Sequence, residues 1–150
     1  MQRECRCPTP AIQRYRGRLS GPLLDRFDIH IEVTPLSEDE LVSAPATESS
    51  AQMSEAVRTA RGIQQRRFEG EGVNANAQMG PQHLQKLCIL DSDCVSLLRQ
   101  SIREFQLSAR AYDRILRVAR TIADIEGSEK IGTEHLHEAV QYRTLDCRLW

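Results

Sequence analysis

Two arginines in this sequence stand where a guanidinium group can meet an anionic group, and the first of them is Arg26. It lies in the run Leu-Leu-Asp-Arg-Phe-Asp over residues 23–28, directly ahead of an alternating apolar stretch. A short helix at the start of a strand aims a fixed positive charge, so Arg26 is a candidate for contact with an anionic group. The same residues allow a structural interpretation, in which Arg26 pairs with Asp25 or Asp28 on an exposed turn.

The second arginine, Arg110, lies in the first turn of the most strongly amphipathic helix that the sequence predicts, with Ser108 as its N-cap. Backbone N–H groups at a helix N-terminus and a guanidinium group together favour a phosphate. The alternative is that Arg110 only packs its aliphatic stem against the helix. Arg114 and Arg117 follow on the same face and are interpreted as a solvated stripe.

The five cysteines indicate reduced thiols, because their number is odd and no secretion signal precedes them. Cys88 and Cys94 lie among apolar residues and are predicted to be small core side chains. Cys5 and Cys7 form a Cys-x-Cys pair in an arginine-rich terminus. A tetrahedral zinc site needs four ligands, so this pair is either half of a metal site or two thiols without a metal.

Composition and charge narrow the class of protein. The chain has 150 residues, of which 40% are hydrophobic and 27% charged, so we expect one soluble domain with a tail. Neither a transmembrane-length apolar run nor a signal peptide is present, so we expect a cytoplasmic protein without membrane contact. Six arginines in residues 1–27, then seven acids and no Lys or Arg in residues 28–55, argue against a uniformly basic nucleic-acid surface.

Hydrophobic periodicity predicts a mainly α protein. A basic helix over 9–19 and a short helix opened by Pro22 come first. From Ser49 onward the sequence predicts a bundle of four or five helices. The first is expected from near Ser49 or Ser50 to about Phe68, with an apolar stripe of Met53, Val57, Ala60 and Ile63. The others are expected over 81–87, after Asp91, after Ser108, and from Thr133. Gly127 is the predicted left-handed stop of the fourth.

The alternation of Ile29, Ile31 and Val33 with polar residues predicts one strand over 28–33. A single strand has nothing to pair with and is not stable in water, and no second strand is evident. The segment is therefore interpreted as the last strand of a sheet that lies outside this chain. The predicted domains are a core remnant over 1–34, a Ser/Pro/Ala-rich linker over 35–48, a helical domain over 49–145 and a tail over 146–150.

Two stretches resemble a known family. Arg18–Val33, and Leu107–Asp124 with its Ser-Ala-Arg-Ala-Tyr-Asp-Arg segment, are similar to the magnesium-chelatase-related AAA+ ATPases of the ComM (YifB-like) family. The 23–28 run also resembles the corresponding segments of the magnesium chelatase ATPase subunit and of MCM helicases. The resemblance implies a four- to five-helix AAA+ lid bundle, preceded by short helices and the last strand of the α/β nucleotide-binding core.

The resemblance also implies roles for the candidate residues. Arg26 matches the arginine finger, which reaches the γ-phosphate bound by a neighbouring subunit, and Arg110 matches the sensor-2 arginine of its own subunit's site. ATP and Mg²⁺ are then the ligands of the full-length protein, which is expected to form a homo-oligomeric, hexameric ring and to act on DNA, for example in branch migration. Cys5 and Cys7 match the later half of a family cysteine cluster, which allows zinc in the full-length protein.

One departure from the family bears on activity. A phosphate-binding loop needs G-x-x-x-x-G-K-[ST], and no Gly-Lys pair occurs in the 150 residues. The acidic strand end that holds Mg²⁺ is also lacking, so we expect no ATP hydrolysis by this chain alone and no cofactor bound to it. A competing hypothesis is a free-standing helical interaction domain whose basic N-terminal arm binds nucleic acid.

Overall fold

The structure is a computed structural model that describes residues 6–18, 21–43 and 48–143, and within these ranges all regular structure is helical. The mainly α prediction is therefore confirmed. The α-helices are α1 (Thr9–Arg16), α2 (Gly21–Leu24), α3 (Glu38–Val42), α4 (Ser50–Arg67), α5 (Pro81–Leu87), α6 (Ser92–Glu104), α7 (Ala109–Ile125) and α8 (Thr133–Gln141), with a 3-10 helix over Asn76–Gln78 before α5. No helix in the described ranges is both long and apolar enough to cross a membrane.

Helices α4 to α8 form one bundle around α7, which packs against α4, α5, α8 and the 3-10 helix. Ile115 and Ala119 of α7 are fully buried, since 3–4 residue spacing puts them on one side of the helix. Further buried apolar side chains from the neighbouring elements complete a single core: Phe68, Met79, Leu84, Leu98, Ile131, Leu136 and Val140. Residues 49–143 thus contain the five helices that periodicity predicts.

Capping residues determine where several bundle helices begin and end. Ser49 and Gln52 form a capping box at α4, with Gln52 N–H donating to Ser49 Oγ at 3.3 Å and Ser49 N–H donating to Gln52 Oε1 at 2.8 Å. Asp91 caps α6 by accepting the Cys94 N–H at 2.8 Å, and this bond lowers the pKa of its carboxyl. Gly127 ends α7 in the left-handed region with φ of 72°, which only glycine adopts at little cost.

The predicted strand over 28–33 is wrong for this chain, because no strand occurs in the ranges that the structure covers. Its residues are extended, but Ile31 and Val33 are 67% and 86% exposed. A strand requires a neighbouring strand to exchange backbone hydrogen bonds. Here the His30 N–H donates instead to the Tyr142 carbonyl at 2.8 Å, after the end of α8.

The predicted apolar stripe of α4 is only partly correct. Met53 and Val57 are exposed, whereas Ala60 and the polar Gln64 are buried. The first turns of α4 extend past the bundle, so the apolar spacing there meets no partner within the described residues. The short helix α3 falls inside the predicted linker over 35–48, whose residues 44–47 lie outside the described ranges, as does the predicted tail over 146–150.

Candidate functional site

The turn that carries Arg26 docks on the bundle next to the start of α7. Leu24 is buried there. Asp25 accepts a hydrogen bond from Ser108 Oγ at 3.1 Å through Oδ2, and its Oδ1 lies 3.7 Å from Nη2 of Arg143. The Arg143 guanidinium, which is 1% exposed, also donates to the Phe27 carbonyl. Arg143, which follows α8, thus holds the turn from one side. Ser108, the N-cap of α7, holds it from the other.

A second pair of contacts holds the same turn one step further along the chain. Arg114, in the second turn of α7, forms an ion pair with Asp28 through Nη1 and Oδ1. The His30 N–H donates to the Tyr142 carbonyl, and the Phe27 and His30 rings meet edge to face at 6.2 Å. The Tyr142 hydroxyl donates to Glu138 at 2.8 Å, and this bond raises the pKa of Tyr142.

Arg26 itself is exposed between these two anchored aspartates. Its N–H closes a turn by donating to the Leu23 carbonyl at 3.0 Å. Asp25 and Asp28 are engaged by Ser108, Arg143 and Arg114, and Arg26 pairs with neither. Within the part of the chain that the structure covers, its guanidinium forms no hydrogen bond or ion pair. The structural interpretation of Arg26 as half of a local ion pair therefore does not hold in this structure.

Arg110 is the second residue of α7 and is also exposed. Ser108 caps the helix, because its Oγ accepts the Ala111 N–H at 3.1 Å. Among residues 6–18, 21–43 and 48–143, none pairs with the Arg110 guanidinium. Both candidate arginines are consequently available to a ligand, and both belong to one connected unit, since Ser108 and Asp25 join the residues next to them.

The interpretation of Arg114 and Arg117 as a solvated stripe is wrong. Arg114 pairs with Asp28, and Arg117 Nε donates to the Met79 carbonyl at 3.0 Å. Their spacing puts them on one face as predicted, but that face is covered by the docked turn and by the loop before α5. Periodicity alone could not show this cover, because both covering segments are distant in sequence.

A buried charged cluster, which sequence reasoning missed, joins α4 to the second half of α7. Asp124, 1% exposed, accepts from Arg67 at 2.6 and 2.5 Å in a bidentate pair. It also accepts from the Asn76 amide at 2.7 Å and from Arg120 Nε at 3.2 Å. Arg120 donates in addition to the Ser128 carbonyl at 2.5 Å, and burial lowers its pKa. The available signal was an acid four residues after an arginine on the apolar face of α7.

Two histidines lie at the starts of helices and cap them. His83 Nδ1 accepts the Gly80 N–H at 3.2 Å at the start of α5, and His135 Nδ1 accepts the Gly132 N–H at 2.7 Å at the start of α8. Each Nδ1 must therefore be the unprotonated nitrogen. The opposite nitrogen, Nε2, lies 3.0 Å from Glu71 in His83 and 2.9 Å from Glu126 in His135. His135 is thus a buried capping residue.

The cysteines divide into two groups. Cys88 and Cys94 are buried, as predicted, and burial raises the pKa of each thiol from 9.0 to about 11. Cys7 is exposed, and Cys5 lies outside the described residues. The structurally described part of the chain contains no group of three or more metal-ligating side chains. The half site at Cys5 and Cys7 therefore stays a prediction.

Comparison with known families identifies the chain. The family model described as magnesium chelatase, subunit ChlI C-terminal, matches residues 47–143, and the model for magnesium chelatase, subunit ChlI, matches residues 1–41. The chain belongs to the magnesium chelatase ChlI-like family. Within it, the chain resembles the YifB and ComM proteins, as the 23–28 run and the α7 sequence predict.

Three relatives illustrate the similarity. YifB of Salmonella typhimurium is 42% identical over 143 residues, covering 94% of this chain and 27% of the relative. YifB of Escherichia coli is 40% identical with the same coverage, and the competence protein ComM of Haemophilus influenzae is 41% identical over 89% of this chain and 26% of its own. The chain thus spans about a quarter of the length of these relatives.

Proposed function

We propose that this chain supplies the arginine-finger and sensor-2 lid portion of a ring-forming AAA+ ATPase of the ComM/YifB type. In this proposal Arg26 contacts the γ-phosphate of ATP bound by a neighbouring subunit. Arg110 contacts the phosphate of ATP bound by its own subunit, beside the N-terminus of α7. ATP and Mg²⁺ are ligands of the whole protein, and phosphoryl transfer needs a phosphate-binding loop that these 150 residues lack.

The observation that carries the proposal is the exposure of both guanidinium groups on α7 and on the turn that docks against it, where the neighbouring arginines are paired. Arg114, Arg117, Arg120 and Arg143 all bond to protein groups. Arg26 and Arg110 are exposed and have no such partner among the described residues. A surface arginine held near a helix N-terminus or on a fixed turn fits the fork geometry of a phosphate.

The extended segment after Arg26 supports the same proposal. Ile29, Ile31 and Val33 alternate along exposed backbone. An alternating apolar segment of this kind fits the edge of a sheet supplied by another part of the protein. The lid and the finger would then be joined to the nucleotide-binding core through this segment.

The test uses a chimaera in which this chain replaces the matching 27% of the Salmonella typhimurium relative. We expect Arg26→Ala to lower kcat for ATP by about 10³–10⁵, which is roughly 4–7 kcal/mol of transition-state stabilisation. Arg61→Ala, at an exposed position of α4, is the matched control and should leave turnover unchanged. Turnover that survives Arg26→Ala would refute the finger assignment.

A mixing experiment tests whether the finger acts between subunits. Arg26→Ala chimaera is mixed with chimaera whose phosphate-binding loop is inactivated in the relative's part. Turnover should reappear, because the second variant supplies Arg26 to the intact ATP site of the first. If the mixture stays inactive while both variants assemble, the finger does not act in trans.

Arg110→Ala tests the sensor-2 role against the packing alternative. Because the guanidinium is exposed, we expect a weaker response to ATP with little change in melting temperature. A large loss of melting temperature with unchanged ATP response would support packing of the arginine stem instead. Arg103→Ala, at an exposed position near the end of α6, is the control.

For the whole protein we propose a hexameric ring that acts on DNA. The support is the family and the name of the Haemophilus influenzae relative, a competence protein. Zinc bound through Cys5, Cys7 and upstream ligands belongs to the same proposal. Measuring ATP turnover of the chimaera with and without DNA tests the proposed action on DNA. Equal turnover in both conditions would contradict it.

A second candidate function rests on α1. This helix has no buried residue and carries Arg14 and Arg16 in its last turn. An exposed basic helix suits phosphate contacts on nucleic acid. Binding of this chain alone to DNA that weakens steeply with salt, together with a chimaera that lacks ATP turnover, would favour such an interaction module.

A further inference from the structure

The two aspartates beside Arg26 both bind the N-terminal half of α7. Asp25 bonds to Ser108, the cap that lies two residues before Arg110, and Asp28 pairs with Arg114, one helical turn after Arg110. We propose that Asp25 and Asp28 are positioning residues that clamp the Arg26 turn onto α7, so that Arg26 and Arg110 move as one unit. This inference rests on the proposed function of the two arginines.

Beside one buried apolar side chain, Leu24, the clamp consists of polar contacts. Leu24 is buried, but Phe27 and Ile29, which flank Asp28, are 50% and 47% exposed. The remaining anchors are the bonds from Arg143 to the Phe27 carbonyl and from the His30 N–H to the Tyr142 carbonyl. Because Asp28 is 50% exposed and lies outside the bundle core, a single change of charge there should loosen the turn without unfolding the bundle.

A rigid clamp would couple neighbouring ATP sites in a ring. Arg110 belongs to the ATP site of its own subunit, and Arg26 reaches the site of the next. If α7 moves when Arg110 binds phosphate, the clamp carries Arg26 with it and changes the geometry of the neighbouring site. Coupling between two ligand sites is reciprocal, so occupancy of the neighbouring site also affects Arg110. A displacement of the finger of about 1 Å is enough to lower the rate about 100-fold.

The first experiment measures the clamp in this chain alone. Hydrogen exchange of the His30 amide reports docking, since that N–H is bonded to Tyr142. Asp28→Asn should speed this exchange, and the charge swap Asp28→Arg with Arg114→Asp should restore its protection. Asp39→Asn, at an exposed position of α3, is the control and should have no effect. Unchanged exchange in Asp28→Asn would overturn the proposal.

The second experiment measures coupling in the chimaera. Asp28→Asn should lower kcat by up to about 100-fold with little change in KM, and should reduce the cooperativity of turnover with ATP concentration. The charge swap should recover both. A variant that exchanges faster at His30 yet keeps wild-type kcat and cooperativity would overturn the clamp as a positioning device.

The two proposals fail in different ways. The clamp fails when Asp28→Asn leaves turnover intact while Arg26→Ala abolishes it. The proposed function fails when Arg26→Ala leaves turnover intact, and the clamp inference then falls with it. Asp25→Asn provides a second check, because it weakens the bond to Ser108 and the ion pair with Arg143 without touching Arg114.

Discussion

Replacing Asp124 with asparagine should destabilise the bundle more than any surface change. The carboxylate accepts hydrogen bonds from Arg67, Arg120 and the Asn76 side chain and is 1% exposed. Asparagine keeps the shape of the side chain but removes its charge, and its NH₂ group replaces one accepting oxygen with a donor. Two guanidinium groups, with side chains 17% and 3% exposed, then lose their counter-ion.

The expected loss of stability follows from the burial of these charges. Removing one partner of a buried ion pair costs about 3–5 kcal/mol, because the other charge stays desolvated without compensation. The bundle over residues 49–143 has just under 100 residues, and domains of that size have a total stability of about 5–15 kcal/mol. Each kcal/mol shifts the melting temperature of such a domain by about 4–8 °C. Thermal unfolding followed by far-ultraviolet circular dichroism should therefore show a drop of at least about 12 °C for Asp124→Asn.

The control for this prediction is Glu55→Gln. Glu55 pairs with Arg58 at 3.3 Å on the surface of α4, where the two side chains are 70% and 76% exposed. Such a pair contributes less than about 1 kcal/mol, so the control should melt close to wild type. If Asp124→Asn melts within a few degrees of Glu55→Gln, the cluster does not hold α4 to α7 and the reasoning is refuted.

Two further predictions concern pH and backbone conformation. Burial raises the pKa of Cys88 and Cys94 from 9.0 to about 11, so the thiols of the unfolded chain ionise at lower pH than those of the folded chain. Ionisation therefore favours the unfolded chain, and the free energy of unfolding should hold below pH 9 and fall towards pH 11. Denaturant unfolding should show a shallower fall in the Cys88→Ala/Cys94→Ala variant, and equal slopes would contradict the account. Gly127→Ala should destabilise by about 1–2 kcal/mol, because φ there is 72°. Gly62→Ala, inside α4 with nothing close to its added methyl group, should instead stabilise by about 0.5–1 kcal/mol in the same assay.

The parts of the fold that local chemistry determines were predictable. Asp91 and Ser108 cap the helices that the sequence assigned to them, because a cap involves only neighbouring residues. The start of α4 after Ser49 agrees with the predicted start near Ser49 or Ser50. The five-helix bundle follows from periodicity for the same reason. The position of Arg110 in the first turn of α7 was predictable as well. Its role and that of Arg26 stay predictions.

The errors share a physical cause, which is distance along the chain. Whether Met53 is covered, or whether 28–33 finds a sheet partner, depends on segments that no local pattern reveals. Asp124 was overlooked because its partner Arg67 lies 57 residues away. The bond between Ser108 and Asp25 spans 83 residues, so the connection between the two candidate arginines became visible only in three dimensions.

The contacts along α7 divide the helix into two halves with different physical characters. Its second half is fixed, because Arg120 and Asp124 belong to a desolvated cluster whose donors and acceptors are paired. Its first half carries the exposed Arg110 and the partly exposed pair between Arg114 and Asp28. Changes at Arg110 and Arg114 should therefore alter ATP response with little loss of stability, and changes at Arg120 and Asp124 should lower stability first. If phosphate binding at Arg110 moves Arg26, the movement has to pass through the Ser108–Asp25 bond and the Arg114–Asp28 pair.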